Sequence, residues 1–151
     1  MGLRSIGIGA VGITVLLVAV GCSGTEDKVP ANLLGYNHTD RNIARFTVDG
    51  YGVASVHPRS TSGFVCCVSV PRQWRQGLAV KVKWDDGEMS AGARDYVSHE
   101  KVVEVPKYSA KDTGGQFAVH FSPGGEVKVV VTRRFAGHAE YPYPSPSGRR
   151  E

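Results

Sequence analysis

Between residues 44 and 131 apolar side chains recur at every second position. Ala44, Phe46 and Val48 alternate with Arg45 and Thr47, and Phe64, Cys66, Val68 and Val70 share one face of the next run. Leu78, Val80, Val82 and Trp84 alternate with Ala79, Lys81 and Lys83, the cleanest half-buried strand in the chain. A weaker run over 99–105 holds Val102, Val103 and Val105. Phe117, Val119 and Phe121 lead through Pro123-Gly124-Gly125 into Val127, Val129 and Val131, the pattern of a hairpin. Successive side chains of a strand point to opposite faces, so this period of two, in short β-branched runs bounded by Gly, Pro and Asp, predicts strands. Only 89–96 has room for a helical turn or two. The expected fold is all-β, an antiparallel sandwich or small barrel of six or seven strands over residues 32–136.

Both ends of the chain break the pattern. Arg4 precedes an apolar stretch from Ile6 to Val20, shorter than the roughly 20 apolar residues that span a bilayer. This is the layout of a secretory signal over 1–21. Ala19-Val20-Gly21-Cys22 resembles a bacterial lipobox, although Ala19 stands where Leu is usual. Small residues let the cut site lie extended in a peptidase, and the Cys22 thiol would accept a diacylglycerol. Ser23 follows Cys22 where Asp would favour inner-membrane retention, so the expected location is the periplasmic face of the outer membrane. Residues 22–31 then form the lipidated Cys and its tether. At the other end, Pro142, Pro144 and Pro146 interrupt 137–151, which is expected to be an extended, disordered tail.

Composition narrows the function. The chain has 151 residues, a formal charge of +4 and 41% hydrophobic residues, enough for one domain with a core. The positive charge is spread out, and Arg133-Arg134 and Arg149-Arg150 are too short for a polybasic tract, so nucleic acid is not an expected partner. No Gly-rich loop precedes a helix and no Gly-x-Ser-x-Gly elbow is present. The five histidines lack metal-ligand spacing, and no Cys-x-x-Cys occurs. No cofactor, metal or catalytic residue is expected. The chain reads as a non-enzyme.

With Cys22 acylated, Cys66 and Cys67 are the remaining sulfurs in an oxidising compartment. Strand neighbours point apart, which favours core thiols, Cys66 packing with Phe64 and Val68; a vicinal disulfide needs a local distortion of the strand. Two segments qualify for partner binding. Arg72-Gln73-Trp74-Arg75 places a Trp between two Arg, the residue types that most often carry interface energy; alternatively Trp74 covers an open end of the sandwich. Tyr36 and His38 lie in Tyr36-Asn37-His38-Thr39-Asp40-Arg41, whose Asn, Thr and Asp are better suited to tying up a tight turn than to partner contact.

This segment, together with Gly63-Phe64-Val65-Cys66-Cys67-Val68-Ser69-Val70-Pro71, Trp74-Arg75-x-Gly77, Val80-x-Val82-x-Trp84, Val105-Pro106-x-Tyr108 and His120-Phe121, resembles the small Gram-negative lipoproteins catalogued as domain of unknown function three-three-zero-four. Members are often encoded beside type VI secretion effectors, notably phospholipases. The resemblance therefore implies an immunity protein that inhibits such an effector by protein–protein binding, held to the membrane by its lipid. The alternative is a structural or assembly lipoprotein of the envelope. An enzyme using Cys66, Cys67 and His side chains is the least supported reading.

Overall fold

The computed structural model describes residues 26–87 and 95–146. The expected signal segment, Cys22, most of 89–96 and the last residues of the tail lie outside them.

Among the described residues the runs of alternating apolar side chains pair into two sheets that face one another. The strands are β1 (Lys28–Asn37), β2 (Asn42–Val48), β3 (Tyr51–Val56), β4 (Ser60–Thr61), β5 (Val65–Pro71), β6 (Ala79–Gly87), β7 (Val97–Glu104), β8 (Gln116–Ser122) and β9 (Glu126–Thr132). One sheet has the order β4-β1-β8-β9, with β5 also paired to β1; the other has the order β3-β2-β6-β7. The architecture is an open β-sandwich, not a closed barrel. Among the described residues it has nine strands where six or seven were expected, because β1, β3 and the two-residue β4 carry too few clean alternations to announce themselves. The hairpin of β8 and β9 forms in the register its pattern implies, with Phe117 opposite Val131 and Phe121 opposite Val127. One pairing is parallel: β1 runs alongside β8, Leu33 opposite Phe117 and Asn37 opposite Phe121.

The inner faces supply the core. Leu33, Phe46, Val82, Phe117 and Val119 are fully buried. The Phe46 and Phe121 rings meet edge-on at 5.2 Å, and Trp84 lies 5.7 Å from Phe121, geometries that add to the area they bury. Gly35 sits at a close approach of the two sheets: a Cβ there would lie 2.7 Å from Val56 Cγ2 and 2.8 Å from the Phe46 ring.

Two expected boundaries move. The tether does not extend to residue 31, because Val29 and Pro30 already pair with Val70 and Ser69 in β1. The described part of the tail is not disordered. Its prolines prevent regular pairing, yet Tyr141 is buried against Leu34, Tyr36, Ala118 and Val130, with Ala136 and Tyr143 packed around them. This second apolar cluster lies on the outer face of the β1–β8–β9 sheet. Tail residues cover that face in place of a further sheet or helix.

The direction of β1 defines two ends. Lys28, the β5–β6 loop and the loop before β8 lie at its start; residues 38–41 and the β8–β9 turn lie at its end. At about 3.3 Å per residue the two ends are ~30 Å apart.

Candidate binding cleft

Asn37 organises the far end. Its side chain is fully buried, and its Nδ2 donates to the carbonyls of Arg41 at 2.7 Å and His57 at 3.2 Å. Its Oδ1 accepts from the Thr39 backbone N–H at 3.0 Å and the Thr39 hydroxyl at 2.8 Å. A short amide that satisfies the backbone of a reversing chain is what makes Asn a turn residue. Here it fixes residues 38–41 as a rigid rim.

That rim borders a cleft of about 300 Å³. Ile43, Trp84, Phe121 and Val127 form its apolar lining; Arg41, Asp86 and Glu126 stand at its mouth with the Pro123–Gly125 turn. Gly124 and Gly125 have φ of 77° and 74°, left-handed values that side chains other than Gly disfavour. The charges are paired. Arg41 donates to Asp86 Oδ1 at 3.2 Å, and His99 Nε2 meets the same oxygen at 3.2 Å while its ring stacks on Trp84 at 4.9 Å. Arg59 grips Asp40 through two bonds of 2.7 and 2.9 Å, holding its carboxyl below the usual range. Glu126 pairs with Lys128 at 3.1 Å. Next to the cleft, Asp85 accepts from Ser98 at 2.6 Å and Arg45 at 2.8 Å; the Ser98 bond is the main reason its carboxyl is also lowered.

The same segment reaches the outer apolar layer. His38 Nε2 lies 2.9 Å from His120 Nδ1, and His120 Nε2 lies 2.7 Å from the Tyr141 hydroxyl. Tyr36 stacks on His120 at 4.5 Å, and the Ala136 N–H donates to the Tyr36 hydroxyl at 3.3 Å. His120 is 1% exposed. Burial, helped by the neighbouring His38 and Lys128, pushes its pKa down to about 3, so the ring is neutral. Burial also raises the Tyr141 phenol and lowers His38. Among the described residues no group of three or more His, Cys, Asp or Glu side chains is placed to hold a metal ion.

The residues expected at a partner surface separate. Tyr36 is no surface contact: it is 3% exposed, sealed beneath the tail. His38 is half-buried and faces His120. Trp74 packs against the core at the opposite end and donates its indole N–H to the Val105 carbonyl at 2.8 Å. Arg72 and Arg75 are exposed but pair with Asp27 at 2.7 Å and Glu26 at 2.9 Å. Cys66 is not a core thiol. It is exposed, and a disulfide joins it to Cys67 across a cis peptide bond. The alternation expected from Phe64 to Val70 breaks at this pair, where the β1–β5 register shifts between Ala31 and Leu33. Val68 and Val70 face the core, whereas Phe64 is 57% exposed.

The Asp86–His99 and His120–Tyr141 contacts escaped the sequence reading. One signal was available. Ala118 and His120 share the outer face of β8, and Tyr141 and Tyr143, two apart in the tail, were the free aromatics able to cover it.

These features define a class: a β-sandwich with a preformed cleft at one end and a tail laid over one sheet. Residues 36–129 match the family described as Protein of unknown function (DUF3304), and the chain belongs to that family. The match begins at Tyr36, so it takes in the rim segment, both cysteines of the disulfide and His120. No curated protein matches the chain, and no solved structure matches it.

Proposed function

We propose that the protein is a non-catalytic binding protein, lipid-anchored at Cys22 on the periplasmic face of the outer membrane. In this reading it is an immunity protein that inhibits a type VI secretion phospholipase effector by protein–protein contact. The effector class rests on the family resemblance. The observation that supports a binding role is the paired state of the cleft's charges. General acid–base catalysis requires a group poised near neutral pH. Here Asp40 is held low by Arg59, and the nearby His120 is neutral. A rigid rim over an aromatic lining suits insertion of a partner's side chain, since a pocket already in its bound form loses little entropy on binding. The anchor would confine the inhibitor to the surface where a lipase acts, raising its effective concentration there.

The test is capture of neighbouring gene products by the mature chain carrying Cys22→Ser, with lipase activity read alongside. Stoichiometric capture of a lipase with loss of its activity is expected. Ser122→Arg and Glu126→Lys, at the cleft mouth, should each weaken capture at least tenfold, about 1.4 kcal/mol, without lowering the urea midpoint. Recovery of envelope components without a lipase would refute immunity and favour the structural lipoprotein.

A further inference from the structure

We infer that the end of the sandwich at the start of β1 is a docking surface for an anionic bilayer, on which the protein stands with its cleft facing away. The inference rests on the proposed anchor at Cys22.

Chain geometry sets the position. Glu26 is four residues beyond Cys22, and at no more than ~3.6 Å per residue it lies within about 15 Å of an acylated Cys22. Glu26 and Asp27 are fastened to the sandwich by Arg75 and Arg72, and the Arg72 N–H donates to the Asp27 carbonyl at 2.8 Å. A lipid at Cys22 therefore brings the β5–β6 loop and the loop before β8 close to the membrane, while the cleft stands ~30 Å farther out.

The chemistry of this end fits that neighbour. The loop from Val105 to Gly115 crosses it, fixed at one side by the Trp74 bond to Val105 and by the Tyr108 hydroxyl, which donates to the Pro71 carbonyl at 2.6 Å. At its other side it abuts β9: a Cβ on Gly114 would meet the Arg133 guanidinium at 2.7 Å. Lys107, Lys111 and Arg133 are exposed along this loop and its edge, and none has a carboxylate partner among the described residues. Asp112 and Glu104 oppose them: Asp112 is held by the Ser109 N–H and hydroxyl, at 3.0 and 2.7 Å, and Glu104 is exposed at the end of β7. The other cations here, Lys28, Arg72, Arg75 and Arg134, are in ion pairs. The far end differs: Arg41, Arg59 and Lys128 all have carboxylate partners. Among the described residues the end nearest the anchor thus holds three unpaired cations, Lys107, Lys111 and Arg133, with Lys101 a further one along β7. Each Lys or Arg near an anionic leaflet strengthens association about fivefold, and salt weakens it.

The experiment uses the full chain, processed and purified from Gram-negative membranes, with intact mass reading acylation at Cys22. The protein is placed in phosphatidylcholine vesicles with or without 30% phosphatidylglycerol, and lysine acetylation rates are read by mass spectrometry. The expected result is labelling of Lys107 and Lys111 slowed at least fivefold by phosphatidylglycerol, reversed by 0.5 M salt, with Lys81 and Lys83 unchanged. Lys107→Gln combined with Lys111→Gln and Arg133→Gln should abolish the salt-sensitive protection of Lys28. Acylated protein whose lysines label equally in both vesicles would overturn the orientation and leave the anchor standing. Absence of the acyl mass would overturn the anchor and the orientation with it. Protection that needs no anionic lipid and grows with protein concentration would assign this end to a second copy of the chain, against the inference.

Discussion

Acidification from pH 7 to pH 5 should destabilise the fold through His120. Its ring is buried between Tyr36, His38 and Tyr141, and its pKa falls from the ordinary value near 6.5 to about 3. Between those values the unfolded chain takes up a proton that the folded chain refuses, so stability is complete above pH 6.5 and declines as pH falls toward 3. Each pH unit inside the window corresponds to about 1.4 kcal/mol, giving a loss of about 2 kcal/mol between pH 7 and pH 5. His38, lowered by burial and by Arg59, acts in the same direction. The carboxylates held low by their partners, Asp40, Asp85 and Glu100, lose their contribution only as pH falls below the ordinary carboxylate range, so the window isolates the imidazoles.

Urea unfolding of the mature chain at pH 7, 6 and 5 measures the effect. His120→Gln keeps a hydrogen-bonding group in the layer but cannot titrate, so its stability should be lower at pH 7 and should fall less steeply down to pH 5, by the part that His38 still contributes. A stability that does not change between pH 7 and pH 5, or an equal slope in the variant, would refute the reasoning. Ring resonances provide a second reading: His120 titrating near 6.5 in the folded protein is incompatible with a sealed layer.

Three substitutions test the packing of the sandwich at the cleft and at the opposite end. Gly35→Ala forces a methyl into Val56 and Phe46 and should cost about 1–3 kcal/mol in urea unfolding. Asn37→Ala removes the buried amide beneath the rim, with its bonds to the Arg41, Val56 and His57 carbonyls and from the Thr39 N–H; a loss of about 2–3 kcal/mol is expected, together with faster amide exchange at Thr39 and Arg41. Trp74→Phe deletes the bond to Val105 and should lower stability by about 1 kcal/mol while leaving effector capture intact. Loss of capture at unchanged stability would instead make Trp74 a partner contact.

The chain reveals its sheets where one face is apolar and the other wet. β6 is the clearest case, because Lys81 and Lys83 alternate with Val80, Val82 and Trp84. β1 is obscured by burial on both faces: Leu33 faces the core, Leu34 and Tyr36 lie under the tail, and a continuous apolar run has no period to read. The same cover misled the reading of the tail, since proline signals the absence of a ladder and says nothing about side-chain packing. Three of the five expected partner residues became structural for a related reason. Tyr36, His38 and Trp74 have polar edges, but each edge is satisfied inside the protein, by Ala136, His120 and Val105. Composition marks aromatic residues as interface candidates; it does not distinguish an external partner from an internal one.

The segment from Tyr36 to Arg41 joins features that are far apart in sequence. Tyr36 points into the layer beneath the tail, Asn37 is locked under the turn, His38 reaches His120, and Thr39 to Arg41 border the cleft. Six consecutive residues thus connect the tail's seat to the cleft's rim through one buried amide. The side chains here leave few alternative arrangements, because Asn37 has both ends of its amide occupied and His120 has both ring nitrogens engaged. A buried polar network that is fully satisfied fixes a single geometry, and one that loses a member leaves charged or polar atoms without water. Removing Tyr141 from His120 should therefore be felt at His38 and, through the shared turn, at the cleft. Tyr141→Phe preserves the ring and deletes only the hydroxyl, so a weaker effector affinity in that variant, with β8–β9 amide protection unchanged, would trace the rim's rigidity to the tail. Unchanged affinity would make the tail a cover for the sheet alone.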